Sequence, residues 1–151
     1  MTSCRTAAAT IPEGTGSMPT RAIADVLKDQ QLVRLAPDAT AAEAARAMTD
    51  HRVGAVVVTL PDAPDGLIGI FTERDLVERV VAPGRQPHET PLTEVMTHRP
   101  LEITPQTSAR EALRLMKEHH LRHLPVVRDG AVIGVVSVRD FLPSETAEFA
   151  L

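Results

Sequence analysis

Short apolar runs bounded by turn residues alternate with stretches whose apolar positions recur every three or four residues, and the whole order appears twice. Leu32 to Leu35 reads as a brief strand that ends at Pro37. Thr40-Ala41-Ala42-Glu43 then places a Thr three residues before a Glu, the signature of a capping box. Ala44, Ala45 and Met48 continue it at helical spacing as far as His51. Ala55 to Thr59 and Leu67 to Phe71 are rich in Val and Ile with turn residues between them, which predicts two buried strands. A last helix starts at Thr72 and runs through Asp75, Leu76 and Val80 to Pro83. The second set repeats each step. It has a segment around Leu101 to Pro105, a capping box at Ser108-Ala109-Arg110-Glu111, and a helix through Ala112, Leu115 and Met116 to His119-His120. Strands at His123 to Val127 and Val132 to Val136 follow, then a helix from Ser137 that Pro143 is expected to cut short. Ala22 to Leu27 forms a helical lead-in to the first set, and Thr93 to Met96 repeats it.

The copies can be aligned residue by residue. Val33 and Leu101, Glu43 and Glu111, Met48 and Met116, and His51 and His119 all lie 68 apart. Gly69-Ile70-Phe71-Thr72-Glu73-Arg74-Asp75 and Gly134-Val135-Val136-Ser137-Val138-Arg139-Asp140 lie 65 apart, so the first copy holds three extra residues. They fall within Leu60 to Gly66, where Pro, Asp and Gly mark a turn and added length costs little. Asp129-Gly130 predicts a tight hairpin in the second copy. The expected organisation is a tail over 1–19, a first repeat over 20–83, a linker over 84–91, a second repeat over 92–143 and a tail over 144–151. A unit of about sixty residues buries only a marginal core. The fold class expected is therefore α/β (α+β), two β-α-β-β-α units packed sheet to sheet.

Composition narrows the function. A net charge of −4 leaves no electrostatic footprint for nucleic acid. No apolar run approaches a transmembrane length, and Ala7-Ala8-Ala9-Thr10-Ile11 is too short and weakly apolar for a signal peptide. A cytoplasmic protein is expected. The lone Cys4 forms no intramolecular disulfide. With no Trp, no Tyr and three Phe, a bound base would rest on aliphatic side chains and backbone rather than on stacked rings.

The repeated Thr72-x-x-Asp75 and Ser137-x-x-Asp140 admit two readings. A hydroxyl followed by an acid three residues on is a helix N-cap. Alternatively, a Gly just upstream lets backbone approach a ligand, a helix start suits an anion, and the Asp accepts from a ribose diol. His119 and His123 have a metal-ligand spacing for one helix face, but a helix end and a strand start fall between them. His51 and His119 match across the copies, which suits a shared role at a helix end. Arg110, Glu111, Arg114 and Glu118 read as a solvated helix face. No nucleophile with a placed base and no phosphate loop is present, so no enzymatic activity is expected.

The doubled pattern hydrophobic-Gly-hydrophobic-x-Thr/Ser-x-x-Asp, with His119-His120-Leu121-Arg122-His123-Leu124-Pro125-Val126-Val127, resembles a tandem pair of CBS domains over about Arg21 to Leu142. The resemblance implies a pseudo-two-fold module with two clefts between the copies. It also implies a homodimer, and regulation of an unknown protein partner by an adenosine ligand such as AMP, ADP, ATP, S-adenosylmethionine or NAD. No cofactor is required, and no nucleic acid or membrane is implied. Carried over by position, Asp75 and Asp140 match ribose-binding acids, with Thr72 and Ser137 beside the ligand. Arg74, Arg139, Arg122 and His123 match phosphate-facing positions. The backbone around Val33 to Leu35 and Leu101 to Ile103 would line the base. Gly54-Ala55 stands where the second copy has Arg122-His123, so the clefts are expected to bind phosphate unequally. A ligand-free interaction module is the alternative.

Overall fold

The computed structural model describes residues 20–27 and 32–151; the expected N-terminal tail and Cys4 lie outside them. The first copy contains β1 (Arg34–Leu35), α2 (Ala41–His51), β2 (Ala55–Leu60), β3 (Ala63–Thr72) and α3 (Glu73–Asp75), which continues as a π-helix over Leu76–Val81. The second contains α5 (Ala109–His119), β5 (His123–Arg128), β6 (Ala131–Ser137) and a 3-10 turn over Val138–Asp140. The lead-ins are α1 (Ile23–Leu27) and α4 (Leu92–Val95); β4 is Thr97–His98 and α6 is Pro143–Ala147.

The first capping box forms as the sequence indicates, and the second forms only in part. Thr40 Oγ1 accepts from the Glu43 N–H at 3.1 Å while Glu43 Oε1 accepts from the Thr40 N–H at 2.8 Å. Ser108 Oγ accepts from the Glu111 N–H at 3.0 Å, but the Glu111 carboxylate takes its bond from Arg114 Nε at 2.9 Å instead of reaching back to Ser108. The helices end alike: Arg52 and His120 both take left-handed backbone, each at φ 56°, and each N–H donates back to its helix.

β1 pairs parallel with β2, β2 antiparallel with β3, and β3 antiparallel with β4, a four-stranded sheet. β5 and β6 pair as a hairpin whose turn residues Asp129 and Gly130 both have positive φ, as the Asp-Gly signal requires. The expected strand near Leu101 shrinks to a single parallel bridge from Ile103 to Val126. The three extra residues do not lengthen the hairpin turn. Thr59 pairs with Leu67 but Leu60 pairs with Ala63, which bulges Pro64, Asp65 and Gly66 out of β3. The second copy has no counterpart, since Val127 and Arg128 pair with Val132 and Ala131 in succession. Arg34 Nε donates to the Pro64 carbonyl at 3.0 Å and Nη2 to the Val132 carbonyl at 3.4 Å, tying the bulge to the other copy.

The lead-ins cross over. Leu92, Val95 and Met96 are buried in the core built by Ala41, Ala44, Met48, Val56, Val58, Phe71 and Val80 of the first copy. Ile23, Val26 and Leu27 are buried in the second copy's core with Ala112, Leu113, Met116, Leu124 and Val136. The backbone bonds that dock them are the same twice: the Leu92 N–H donates to Ala39 and the Ile23 N–H to Thr107, each at 2.8 Å. Each copy thus completes its core with a helix that precedes the other copy, which joins two marginal units into one cooperative body.

The end of the chain departs from expectation. The helical turn from Ser137 stops at Asp140, short of Pro143 as expected, but Pro143 then opens α6, because proline in a first helical turn sacrifices no hydrogen bond. Residues 144–151, read from the sequence as a tail, carry Phe149 and Leu151 onto the second core. Glu145 on α6 takes a two-pronged bond from Arg21, with Nη2 to Oε1 at 2.8 Å and Nε to Oε2 at 3.1 Å.

Candidate functional site: two clefts between the copies

The pseudo-symmetric packing leaves two clefts, each lined from both copies. One, of about 220 Å³, brings Ser137, Arg139 and Asp140 of the second copy against Val33, Arg52, Gly54 and Ala55 of the first. The other, of about 470 Å³, brings Thr72, Arg74, Asp75 and Arg79 of the first against Leu101, His120, Arg122 and His123 of the second. His123 lines both. All eight candidate residues therefore lie on cleft walls. Of the expected base-lining segments, Val33 and Leu101 line clefts; Ile103 is buried in the second core instead.

The motif acids also cap their helices. Thr72 Oγ1 accepts from the Asp75 N–H at 3.2 Å, and Asp75 Oδ2 accepts from the Thr72 N–H at 2.9 Å. The Glu73 N–H donates to the Gly54 carbonyl at 3.0 Å. This corrects the expectation that the helix start would offer its N–H groups to an anion, since those of Thr72, Glu73 and Asp75 are already used. In the second copy Asp140 Oδ2 accepts from the Ser137 N–H at 2.8 Å, and the Val138 N–H donates to the Arg122 carbonyl at 3.0 Å.

The motif glycines have a reason the sequence did not show. A Cβ on Gly69 would lie 2.5 Å from Met96 Sδ, and one on Gly134 would lie 2.7 Å from Leu27 Cδ2. These glycines admit the crossed-over lead-ins rather than a ligand. Gly54 is different: a Cβ there would meet Glu73 Oε1 at 2.6 Å and His123 Nε2 at 2.8 Å. The small residue opposite Arg122 makes room for His123 between the clefts.

Electrostatics separate the clefts. Asp75 is only 9% exposed, and burial pushes its carboxyl above the ordinary range against the opposing pull of its bond from Thr72 and of Arg79. Arg79 Nε lies 3.6 Å from Asp75 Oδ1, and its Nη1 donates to the carbonyls of Val95 at 3.2 Å and Met96 at 3.1 Å. Arg74 Nη1 donates to the His120 carbonyl at 2.8 Å. Burial pushes the His123 imidazole down, with Glu73 opposing and Arg139 and Arg122 reinforcing. Sequence reasoning missed Arg79, although its i,i+4 spacing from Asp75 was readable, and Arg52, whose place depends on a left-handed turn. Among the described residues no three His, Cys, Asp or Glu gather as a metal site, and no helix is long and apolar enough to cross a membrane.

Two interlocked β-α-β-β units around paired clefts define a tandem-repeat module of the regulatory kind. The CBS domain family model matches residues 23–82 and 92–144. The chain belongs to the CBS domain family, whose members are generally regulatory rather than catalytic. It is 36% identical over 126 residues to the mitochondrial CBS domain-containing protein CBSX3 of Arabidopsis thaliana, covering 78% of this chain and 61% of that protein. The chain thus spans about three fifths of that relative's length. A CBS domain protein from Pyrobaculum aerophilum, solved with AMP, superposes with a TM-score of 0.75 at 30% identity, over 85% of this chain and 98% of that one. A hexameric CBS-CP12 protein from bloom-forming cyanobacteria gives a TM-score of 0.75 at 26% identity, over 87% and 77% of the two chains.

Proposed function

We propose that this chain is a non-catalytic regulatory module. It binds an adenosine-type ligand, with AMP, ADP and ATP foremost and S-adenosylmethionine or NAD in the same class, and signals to a partner protein in trans. The observation that carries the reading is a hydroxyl-Asp pair on the wall of each cleft, opposite aliphatic positions from the other copy. The AMP-bound neighbour supports it. Asp75 and Asp140 would accept from the ribose hydroxyls, with Thr72 and Ser137 beside them. Arg139 in one cleft, and Arg74, Arg122 and His123 in the other, would face phosphate. Because each cleft is lined by both copies, a ligand that favours one arrangement of the copies shifts the population toward it. The setting we assign is a cytoplasmic homodimer.

The test begins with ultraviolet spectra of freshly purified protein. Without Trp or Tyr the chain is nearly silent at 280 nm, so a retained base dominates near 260 nm. A thermal-shift screen with AMP, ATP, NAD and S-adenosylmethionine follows. A ligand at a hundred times its Kd stabilises by about 2.7 kcal/mol. Asp140→Asn is expected to remove most of that shift while the unliganded protein still melts cooperatively. No shift with any of the four ligands would instead favour a ligand-free assembly module. That second reading has its own support: the Thr72 and Asp75 caps are satisfied without a ligand, and Val77 and Val81 are each 59% exposed.

A further inference from the structure

Arg52 follows the last residue of α2 and takes left-handed backbone at φ 56° and ψ 44°, with its N–H bonded back to Met48 and Thr49. That turn places it on the wall of the cleft that holds Asp140, on the opposite copy from Arg139. Both arginines are exposed, and among the described residues neither guanidinium has a hydrogen-bond or ion-pair partner. Among the described residues, Asp140 is the one carboxylate lining this cleft. The other cleft is lined by Glu73, Asp75 and Glu78. There Arg74 is bonded to the His120 carbonyl and faces Glu78 at 3.9 Å, and Arg79 is held by Asp75 and two carbonyls. Arg122 is its remaining arginine. An anion entering that cleft meets three carboxylates; one entering the Asp140 cleft meets two uncommitted guanidinium groups, which present forked donors suited to phosphate.

We infer that Arg52, acting with Arg139, is the phosphate-binding and specificity-determining residue of this module, and that the phosphorylated nucleoside occupies the Asp140 cleft. This rests on the adenosine-ligand reading above, and it assigns the stronger of the two unequal clefts expected from the sequence to the one lined by Asp140 rather than the one lined by Arg122. The left-handed backbone suits glycine better than arginine, so the position keeps a charged side chain in a conformation that a smaller residue would take more easily.

The experiment is calorimetric titration of adenosine and of AMP into the full chain and into Arg52→Gly, Arg52→Lys, Arg139→Ala and Arg122→Ala. Arg52→Gly is expected to melt no lower than the parent, so loss of fold is not confounded with loss of binding. It should weaken AMP roughly tenfold, the scale of one charge-assisted bond, and leave adenosine unchanged. Arg139→Ala should act in the same direction, Arg122→Ala should cost clearly less than either, and Arg52→Lys should recover part of the loss. Added salt should weaken AMP but not adenosine in the parent. An unchanged AMP-to-adenosine ratio in Arg52→Gly, or a larger loss of that ratio in Arg122→Ala than in Arg52→Gly, overturns the inference while leaving the adenosine-binding reading intact. Failure of the parent to bind either compound overturns both.

Discussion

Gly69 and Gly134 stand where a side chain arriving from the other copy fills the space a Cβ would need. Met96 and Leu27 are both buried, with little room to retreat. Gly69→Ala and Gly134→Ala are each expected to destabilise by about 1–3 kcal/mol through overpacking, read as a lower urea midpoint at unchanged slope. An unchanged midpoint would mean that the lead-ins do not pack there. His123 carries a pH signature. Its folded pKa lies below the unfolded value, so the unfolded chain takes up the proton first as pH falls. The stability it contributes is complete above about pH 6.5 and is lost as pH drops from there toward the folded pKa. In His123→Gln the stability profile should be flatter across that window; a profile parallel to the parent's would show that the imidazole is not buried in solution. Asp75 has the opposite slope for an acid. Burial raises its folded pKa, so the cost of its charge is present above that pKa and is relieved as pH falls toward the unfolded value.

At the scale of elements, α6 is held by a contact that closes the chain on itself. Arg21 precedes the first lead-in and Glu145 lies on the last helix, and their side chains are 27% and 18% exposed. The bond from Arg21 holds the Glu145 carboxyl below its usual range. Here the stabilisation is present above the unfolded carboxyl value and is lost as pH falls through the lowered folded one. Glu145→Gln should therefore cost on the order of 1 kcal/mol at neutral pH and nothing once the parent's carboxyl is also protonated. An undiminished difference at low pH would assign the loss to packing of Phe149 and Leu151 instead. The same helix shows both roles of Pro143: the turn from Ser137 stops before it, and at the first turn of α6 it starts a helix.

For the whole molecule, the asymmetry between copies matters as much as their likeness. The first copy ends in a continuous helix with exposed Val77 and Val81, while the second turns aside after Asp140 into α6. These valines provide an unpartnered apolar surface for the self-association we propose. Val77→Glu with Val81→Glu should lower the mass measured by light scattering toward that of a single chain and leave circular dichroism unchanged; an unaltered mass would move the contact to another face.

Much of this was legible along the chain. The capping box at Thr40, the Ser108 cap, the apolar strands, the Asp129-Gly130 turn and the doubled motif all depend on residues close together in sequence, where local hydrogen bonding and side-chain periodicity decide the outcome. The repeat itself showed that three residues were extra, and it indicated clefts of unequal charge. The sequence alone determined two matched units and the residues that could meet a ligand. Tertiary structure decided which copy each lead-in completes, because a short amphipathic helix can bury its face on either core and only packing selects one. It also decided why Gly69 and Gly134 lack side chains, and which arginines remain uncommitted. Arg74 and Arg79 are engaged by carbonyls and carboxylates distant in sequence or one helical turn away, while Arg52 reaches the Asp140 cleft through a left-handed turn and through the way the copies pack against each other.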